Sequence, residues 1–287
     1  MESTEDASVN FIKKSGNGLI EARFVQRTPD YFIVYLSSQN GCRQSCRFCH
    51  LTATRQTTEK DVDLDGYLYQ ARSVLTHANK IAGKATKIHY NFMARGEPLA
   101  NQIFIQKSNE IFKNLGDLRP DLENKFLVSS IIPKSFVGSL ANILSDERST
   151  LYYSLYSMKT SFRKRWLPKA MDPEKALDII AEYQAITGKK IALHWAFIDG
   201  QNDHVEDVET ILEAVKTRGI QAKFNLVRYN PYNSLYGQES DEETIKKLFT
   251  LINEAMPHPR NRIVPRVGYD VKASCGMFVE TNSIIED

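Results

Sequence analysis

The chain has 287 residues, of which 42% are hydrophobic and 25% are charged, a composition typical of a globular protein with a sizeable core. Its 37 basic and 35 acidic residues give a net charge of +2, which neither announces nor excludes a nucleic-acid partner. No apolar run approaches the roughly 18 residues of a membrane span, and the N-terminus is too acidic for a secretory signal. Three of the four cysteines are clustered, which favours a reducing compartment over a disulfide framework. We therefore expect a cytoplasmic protein without a membrane partner.

The first elements form an extension before the main fold. Residues 1–16 are predicted to be a flexible tail, and residues 17–287 a single domain. Residues 18–26 and 31–36 are rich in β-branched and aromatic side chains and flank a turn signal, which predicts a β-hairpin. Apolar residues at spacings of three and four predict a helix over 61–82.

Strands and helices then alternate along the chain. The predicted strands are 86–93, 125–130, 150–155, 190–198, 221–227 and 262–267. The predicted helices are 101–115, 134–144, 173–187, 205–218 and 241–255. This repeat implies an α/β fold with a parallel sheet and right-handed crossovers, either an open doubly wound sheet or a barrel.

The clustered cysteines follow the hairpin directly. Cys42, Cys46 and Cys49 have the spacing C-x3-C-x2-C. Iron–sulfur clusters are usually held by four thiolates, so three in one loop can bind three irons of a cubane and leave the fourth open to a cofactor or substrate. Two alternatives remain open at this point: a Cys3His zinc site that uses His50, and ordinary buried cysteines.

Polar residues follow one predicted strand after another. They are Arg95-Gly96-Glu97-Pro98, Ser129-Ser130, Ser154-Leu155-Tyr156, residues 199–203 and Asn230-Pro231-Tyr232. In parallel α/β barrels the active site is built at the carboxyl ends of the strands. We therefore expect these residues to lie at the same edge of the sheet as the cysteines.

The cysteine spacing, with Phe48 before the last cysteine, resembles the radical S-adenosylmethionine (SAM) superfamily. That resemblance implies a partial (βα)6 barrel, here with a short N-terminal β extension, and a [4Fe–4S] cluster on Cys42, Cys46 and Cys49. It also implies that SAM chelates the open iron and is cleaved to a 5′-deoxyadenosyl radical. The protein's share of such chemistry is to orient the reactants and to exclude water.

A closer resemblance, from about residue 21 to residue 276, is to the RlmN/Cfr family, which methylates adenosine carbons in 23S ribosomal RNA. The motifs that carry it, in chain order, are 37–42, 95–99, 154–156, 225–231 and 273–276. It implies a set of residues around SAM: Gly96 and Glu97 at its amino end, with Ser129, Ser154, Tyr156 and Asn230 around the rest.

The same resemblance assigns two catalytic roles. Cys275 would be methylated by one SAM, and the radical from a second SAM would take hydrogen from that methyl group so that the carbon adds to the base. Glu21 would be the proton acceptor. The resemblance further implies an RNA partner, ribosomal or transfer RNA, whose phosphates the basic segment 159–169 would contact. We also expect a flavodoxin-like or ferredoxin-like electron donor and a monomer.

Departures from the family pattern leave an alternative open. The family has a further cysteine seven positions before the first cluster cysteine, where this chain has Tyr35. In the family that thiol releases the enzyme–RNA crosslink as a disulfide, which a phenol cannot form. The family's N-terminal RNA-binding domain is also expected to be missing. The alternative is a radical SAM enzyme of the same fold that acts on transfer RNA, a protein or a small molecule, with a changed or incomplete methyl-transfer cycle. A non-catalytic metal-binding protein is a third reading, which the retained Gly96, Asn230 and Cys275 disfavour.

Overall fold

The computed structural model describes residues 1–57 and 60–281. Within these residues, one nine-stranded sheet runs through the molecule, and its strands follow each other in sequence order. The strands are β1 (Val9–Ser15), β2 (Gly18–Thr28), β3 (Tyr31–Tyr35), β4 (Lys87–Phe92), β5 (Glu123–Ser130), β6 (Ser149–Tyr153), β7 (Ile191–Trp195), β8 (Ala222–Leu226) and β9 (Arg262–Ile263). The helices are α1 (His50–Ala53), α2 (Leu64–Ile81), α3 (Gln102–Gly116), α4 (Leu140–Ile143), α5 (Thr160–Trp166), α6 (Pro173–Thr187), α7 (Val205–Thr217) and α8 (Glu242–Ala255).

The N-terminal extension is ordered. β2 and β3 form the predicted hairpin, but the flexible tail predicted over 1–16 is wrong, because residues 9–15 form β1. β1 pairs antiparallel with β2, and Val9 lies opposite Phe24. Ahead of it, the carboxylate of Asp270 accepts hydrogen bonds from Ser3 Oγ at 2.7 Å and Thr4 N at 2.8 Å. The free edge of β2 and a distant carboxylate thus order a segment that looks polar and unstructured by itself.

Strands β3 to β9 are all parallel, and each pairs with the next one in the chain. A doubly wound sheet would reverse its strand order at a switch point, so this order is the one found in barrel-type βα folds. β9 is shorter than predicted. After it, Val264 N still donates to Leu226 O at 2.7 Å, but Pro265 has no amide hydrogen with which to continue the ladder.

The helices largely match their predictions. α6 begins at Pro173 because the Asp172 side chain accepts from the amides of Glu174 and Lys175, and it ends at Gly188, whose φ is +67°. The helix predicted over 134–144 is wrong for most of its length, since only α4 is helical there; Gly138, with a φ of +153°, interrupts the segment. The short helices α1 and α5 are not predicted by apolar periodicity.

The apolar core lies between the helices and one face of the sheet. Phe112 of α3 stacks on Phe126 of β5 with ring centroids 4.7 Å apart. Successive side chains of a strand point to opposite faces, so residues that alternate with this core, such as Ser129 and His194, point to the other face. None of the helices within 1–57 and 60–281 is long and apolar enough to cross a bilayer.

Candidate active site

One open cavity collects the predicted site residues at the carboxyl ends of the parallel strands. Its empty volume is about 1320 Å³, part of it open to solvent. Every predicted site residue except Glu21 lines it: Cys42, Cys46, Cys49, Gly96, Glu97, Ser129, Ser154, Tyr156, Asn230 and Cys275.

The cysteine loop is held by backbone hydrogen bonds to distant parts of the chain. Arg47 N donates to the carbonyl of Trp166 at 2.9 Å, and Cys42 N donates to that of Gln56 at 3.1 Å. The Arg47 guanidinium also lies 5.7 Å from the centre of the Trp166 ring. The unpredicted helix α5 therefore supports the loop from one side, through its last residue.

The three thiols suit a cluster better than a single ion. Burial raises the pKa of Cys46 well above its ordinary value and that of Cys49 to about 11, so both thiols are protonated until a metal displaces the protons. A single tetrahedral zinc would draw its sulfur ligands to about 3.8 Å from one another. Among the described residues, no three His, Cys, Asp or Glu side chains converge in that way. A cubane cluster places each thiolate on a different iron and needs no such convergence.

Gly96 brings Glu97 to the cavity. A Cβ at Gly96, whose φ is +93°, would lie 2.6 Å from Gln39 N, so only glycine fits there. Glu97 Oε1 accepts from Leu99 N at 3.0 Å and Oε2 from Ile131 N at 3.1 Å. Burial raises the pKa of Glu97 to about 7. No ion pair to Glu97 occurs in the part of the chain that the structure describes, and the hydrogen bonds that it accepts come from backbone amides and from Ser130.

His194 is a site residue that the motifs do not point to. Its Nε2 lies 2.9 Å from Ser129 Oγ and 2.6 Å from Ser154 Oγ, so it bridges two of the predicted SAM contacts. Burial lowers the pKa of His194 to about 4 and keeps the ring neutral. The sequence feature that could have identified His194 is a single histidine at a cavity-facing position of the otherwise apolar strand β7.

Asn230 joins the cysteine loop to the segment that carries Cys275. Its Nδ2 donates to the carbonyl of Cys275 at 2.9 Å, and its own carbonyl lies 3.1 Å from His50 Nε2. A second link runs from His50 N to the carbonyl of Gly276 at 2.9 Å. The Cys275 side chain is exposed toward the cavity. The groups around the cavity displace part of the water near the thiol and so raise the pKa of Cys275, and the charge of Arg23 opposes that effect.

Two predicted features, Glu21 and the basic segment 159–169, are not part of the cavity lining. Glu21 is fully buried and does not line the cavity, so its role as proton acceptor stays a prediction. In the basic segment 159–169, Arg163 is buried and donates to the carbonyl of Leu155 at 2.8 Å, and Lys159 pairs with Asp207 at 2.8 Å. Arg165 also donates to Gln201 Oε1 at 3.4 Å, so three of the five basic side chains have contacts within the molecule.

No family model matches the chain. Its sequence is 28% identical over 251 residues to the dual-specificity RNA methyltransferase RlmN of Aliarcobacter butzleri, an alignment that covers 87% of this chain and 67% of that relative. It is 25% identical over 295 residues to RlmN of Campylobacter jejuni, covering 97% of this chain and 80% of the relative. Over most of its length the chain is therefore similar in sequence to proteins named RlmN.

Comparison of structures shows that solved proteins share this fold. The chain superposes on a radical SAM methyltransferase from Sphaerobacter thermophilus with a TM-score of 0.75 at 20% identity, covering 96% of this chain and 79% of that one. It also superposes on the [FeFe]-hydrogenase maturase HydG with a TM-score of 0.59 at 14% identity, covering 86% and 55% of the two chains. The predicted α/β fold of the radical SAM type is confirmed.

Proposed function

We propose that the protein is a radical SAM methyltransferase that methylates an aromatic carbon, an adenine in RNA, through a methyl group carried on Cys275. The observation that carries the proposal is that Cys275 lines the same cavity as Cys42, Cys46 and Cys49. A barrel that only bound a metal would not need a thiol from the far end of the chain at this place.

The residues of the cavity divide the work of holding the cofactors. Cys42, Cys46 and Cys49 would hold the [4Fe–4S] cluster, which when bound supplies the electron that cleaves SAM; we propose a flavodoxin-like or ferredoxin-like donor. The Glu97 carboxylate would accept hydrogen bonds from the N–H groups of the SAM amino group. His194 would keep the hydroxyls of Ser129 and Ser154 in fixed directions.

The chain's own part in the chemistry centres on Cys275. Its thiol must lose a proton before it accepts a methyl group, and the positive charge of Arg23 favours the thiolate against burial. Apolar side chains line the cavity around it and limit access of water: Phe48, Leu51, Phe92 and Phe278. A dry wall protects a reactive carbon from side reactions.

An anionic substrate fits the charges of the cavity wall. Arg228 and Arg266 line the cavity and pair with Glu239 at 3.8 and 2.7 Å. Arg27 also lines it; the hydroxyls of Tyr31 and Tyr35 contact its guanidinium, and no carboxylate of the described residues pairs with it. A substrate phosphate would complete this site. We expect Arg27→Gln to weaken RNA binding and to lower the slope of log affinity against log salt by about one.

The methyl-transfer proposal is tested with methyl-labelled SAM. Anaerobically reconstituted protein is incubated with the label, digested and analysed by peptide mass spectrometry, with Cys275→Ala as control. We expect one labelled methyl group on the peptide that contains Cys275 in the wild type and none in the variant. Absence of label at Cys275 in protein that carries the cluster would overturn the proposal.

Tyr35 favours a second candidate, a radical SAM enzyme of the same fold with a changed or incomplete cycle on a non-ribosomal substrate. It lines the cavity together with Cys275 but cannot form a disulfide with it. If the main proposal is right, a covalent protein–RNA adduct should accumulate in the wild type and decline in Tyr35→Cys. If neither an adduct nor a new methyladenosine in total RNA appears after expression in a host without its own enzyme, the second candidate is favoured.

A further inference from the structure

We propose that Glu21 is a positioning residue: with Arg23 and Arg95 it fastens residues 271–279 to the extension of the sheet and so fixes Cys275 at the cavity. This role differs from that of a proton acceptor. The role of Cys275 as the methyl carrier rests on the proposed function. The attachment of residues 271–279 by Glu21, Arg23 and Arg95 does not depend on it.

The Glu21 carboxylate is saturated by donors from four parts of the chain. Its Oε1 accepts from Arg95 Nε at 2.8 Å and from Val279 N at 3.0 Å. Its Oε2 accepts from Arg23 Nη2 at 2.9 Å and from Asn10 Nδ2 at 3.0 Å. A carboxylate offers about four acceptor positions, so none is left for a substrate proton. The Glu21 side chain is 0% exposed, and it does not line the cavity.

The donors that surround Glu21 also bind the backbone of the segment that carries Cys275. Arg23 donates to the carbonyls of Ala273 at 3.1 Å and Met277 at 2.6 Å, on either side of Cys275. Asn10 Nδ2 also lies 3.1 Å from the carbonyl of Val271. Arg95 Nη2 donates to the carbonyl of Val279. Residues 271–279 contain no helix or strand, so these side chains meet hydrogen-bonding needs that regular structure would otherwise meet.

Charge explains why an acid is needed at this position. Arg23 and Arg95 are 2% and 0% exposed, and each bonds the carboxylate. Burial lowers the pKa of Arg95, and the charge of Arg23 lowers it further, whereas Glu21 opposes both effects. Without the negative charge, two buried guanidinium groups repel each other with no counter-ion. This repulsion is reduced if the segment 271–279 loosens and admits water. Cys275 then loses its fixed position at the cavity.

The test compares Glu21→Gln with wild type in reconstituted full-length protein, with Asp207→Asn as the matched control. Asp207 is also buried and paired with a basic side chain, but it does not line the cavity. We expect amide hydrogen exchange in peptides covering 271–279 to become at least 10-fold faster in Glu21→Gln. Alkylation of Cys275 by iodoacetamide, followed by peptide mass spectrometry, should become at least 5-fold faster. Asp207→Asn should change neither, and Glu21→Asp, which keeps the charge, should show a smaller effect than Glu21→Gln.

Two outcomes separate this role from the alternatives. If Glu21→Gln exchanges and alkylates like wild type and loses only methylation of RNA, Glu21 is a proton acceptor and the proposal is overturned. If Cys275 takes no methyl group in wild type, the proposed function fails, but the exchange result still decides the fastening because it needs no SAM.

Arg23→Lys serves if Glu21→Gln does not fold. Lysine keeps the charge beside Glu21, but it has no planar fork with which to bind the carboxylate and the carbonyls of Ala273 and Met277 together. The proposal requires faster exchange over 271–279 in this variant, and unchanged exchange there would refute it.

Discussion

The ring of Tyr156 stacks on the ring of Phe48, with centroids 4.4 Å apart and planes inclined by 11°. Phe48 belongs to the cysteine loop, whereas Tyr156 follows β6 and has a left-handed φ of +61°. The backbone at Tyr156 thus adopts a conformation that is unfavourable for a residue with a side chain. The ring stack with Phe48 offsets part of this strain energy. The pair joins the cysteine loop to the end of β6, where Tyr156 is itself a predicted SAM contact.

Removal of this stack should destabilise the protein. Truncation of a large buried aromatic side chain costs about 3–5 kcal/mol, so we expect Tyr156→Ala to lower the free energy of unfolding by about that amount in urea denaturation. Tyr156→Phe keeps the ring and should stay within about 1 kcal/mol of wild type. Equal stability of Tyr156→Ala and wild type would show that the stack contributes nothing.

Iron content should separate the cluster cysteines from Cys275. After anaerobic reconstitution we expect about four irons per chain in wild type and in Cys275→Ala, because in the proposed function the three loop thiolates would hold the cubane. Cys46→Ala should lose the iron and its visible absorbance. Protein that takes up zinc alone and shows no iron–sulfur absorbance would contradict both the cluster and the proposed chemistry.

SAM affinity should depend on pH through Glu97. Its pKa is raised to about 7, so the carboxyl group of the free protein gains its negative charge as pH rises through that value. The charged form is the stronger hydrogen-bond acceptor for the SAM amino group, and we expect the Kd of SAM, measured by equilibrium dialysis, to fall as pH rises from 6 to 8. Glu97→Gln should bind about 10- to 100-fold more weakly, as expected for loss of a charge-assisted hydrogen bond. It should also lack that pH dependence, and a slope that persists in the variant would assign the effect to another group.

His194 should contribute to stability in a pH-dependent way. Its pKa is about 4 in the folded protein and 6.5 as the reference value, so between these values the unfolded chain binds more protons. Stability due to the neutral ring is therefore present above about pH 6.5 and declines as pH falls toward 4. We expect the difference in free energy of unfolding between wild type and His194→Gln to shrink by about 2 kcal/mol over that range, after allowance for partial exposure. A difference independent of pH would contradict the buried, neutral state of His194.

Local patterns in the sequence were sufficient for most of the fold. Apolar periodicity predicts the strand–helix alternation, and Asp172 and Gly188 mark the two ends of α6 as the structure has them. Local patterns fail where contacts with residues distant in the sequence determine the structure. An example is β1, which is ordered by the edge of β2 and by contacts with Asp270. The helix predicted over 134–144 fails for a local reason, since the backbone conformation at Gly138 interrupts it.

For the site, the sequence by itself determined which residues have the chemistry: three closely spaced thiols, an acid after a glycine, serines at strand ends and one remote cysteine. Only the tertiary structure decided that Cys275 shares a cavity with Cys42, Cys46 and Cys49, and that His194 bridges two serines. It also decided that Glu21 lies among arginines, away from the cavity wall. The physical reason is that residue types and spacings are properties of short segments, whereas proximity between distant segments arises from sheet order and from buried charges that must find partners.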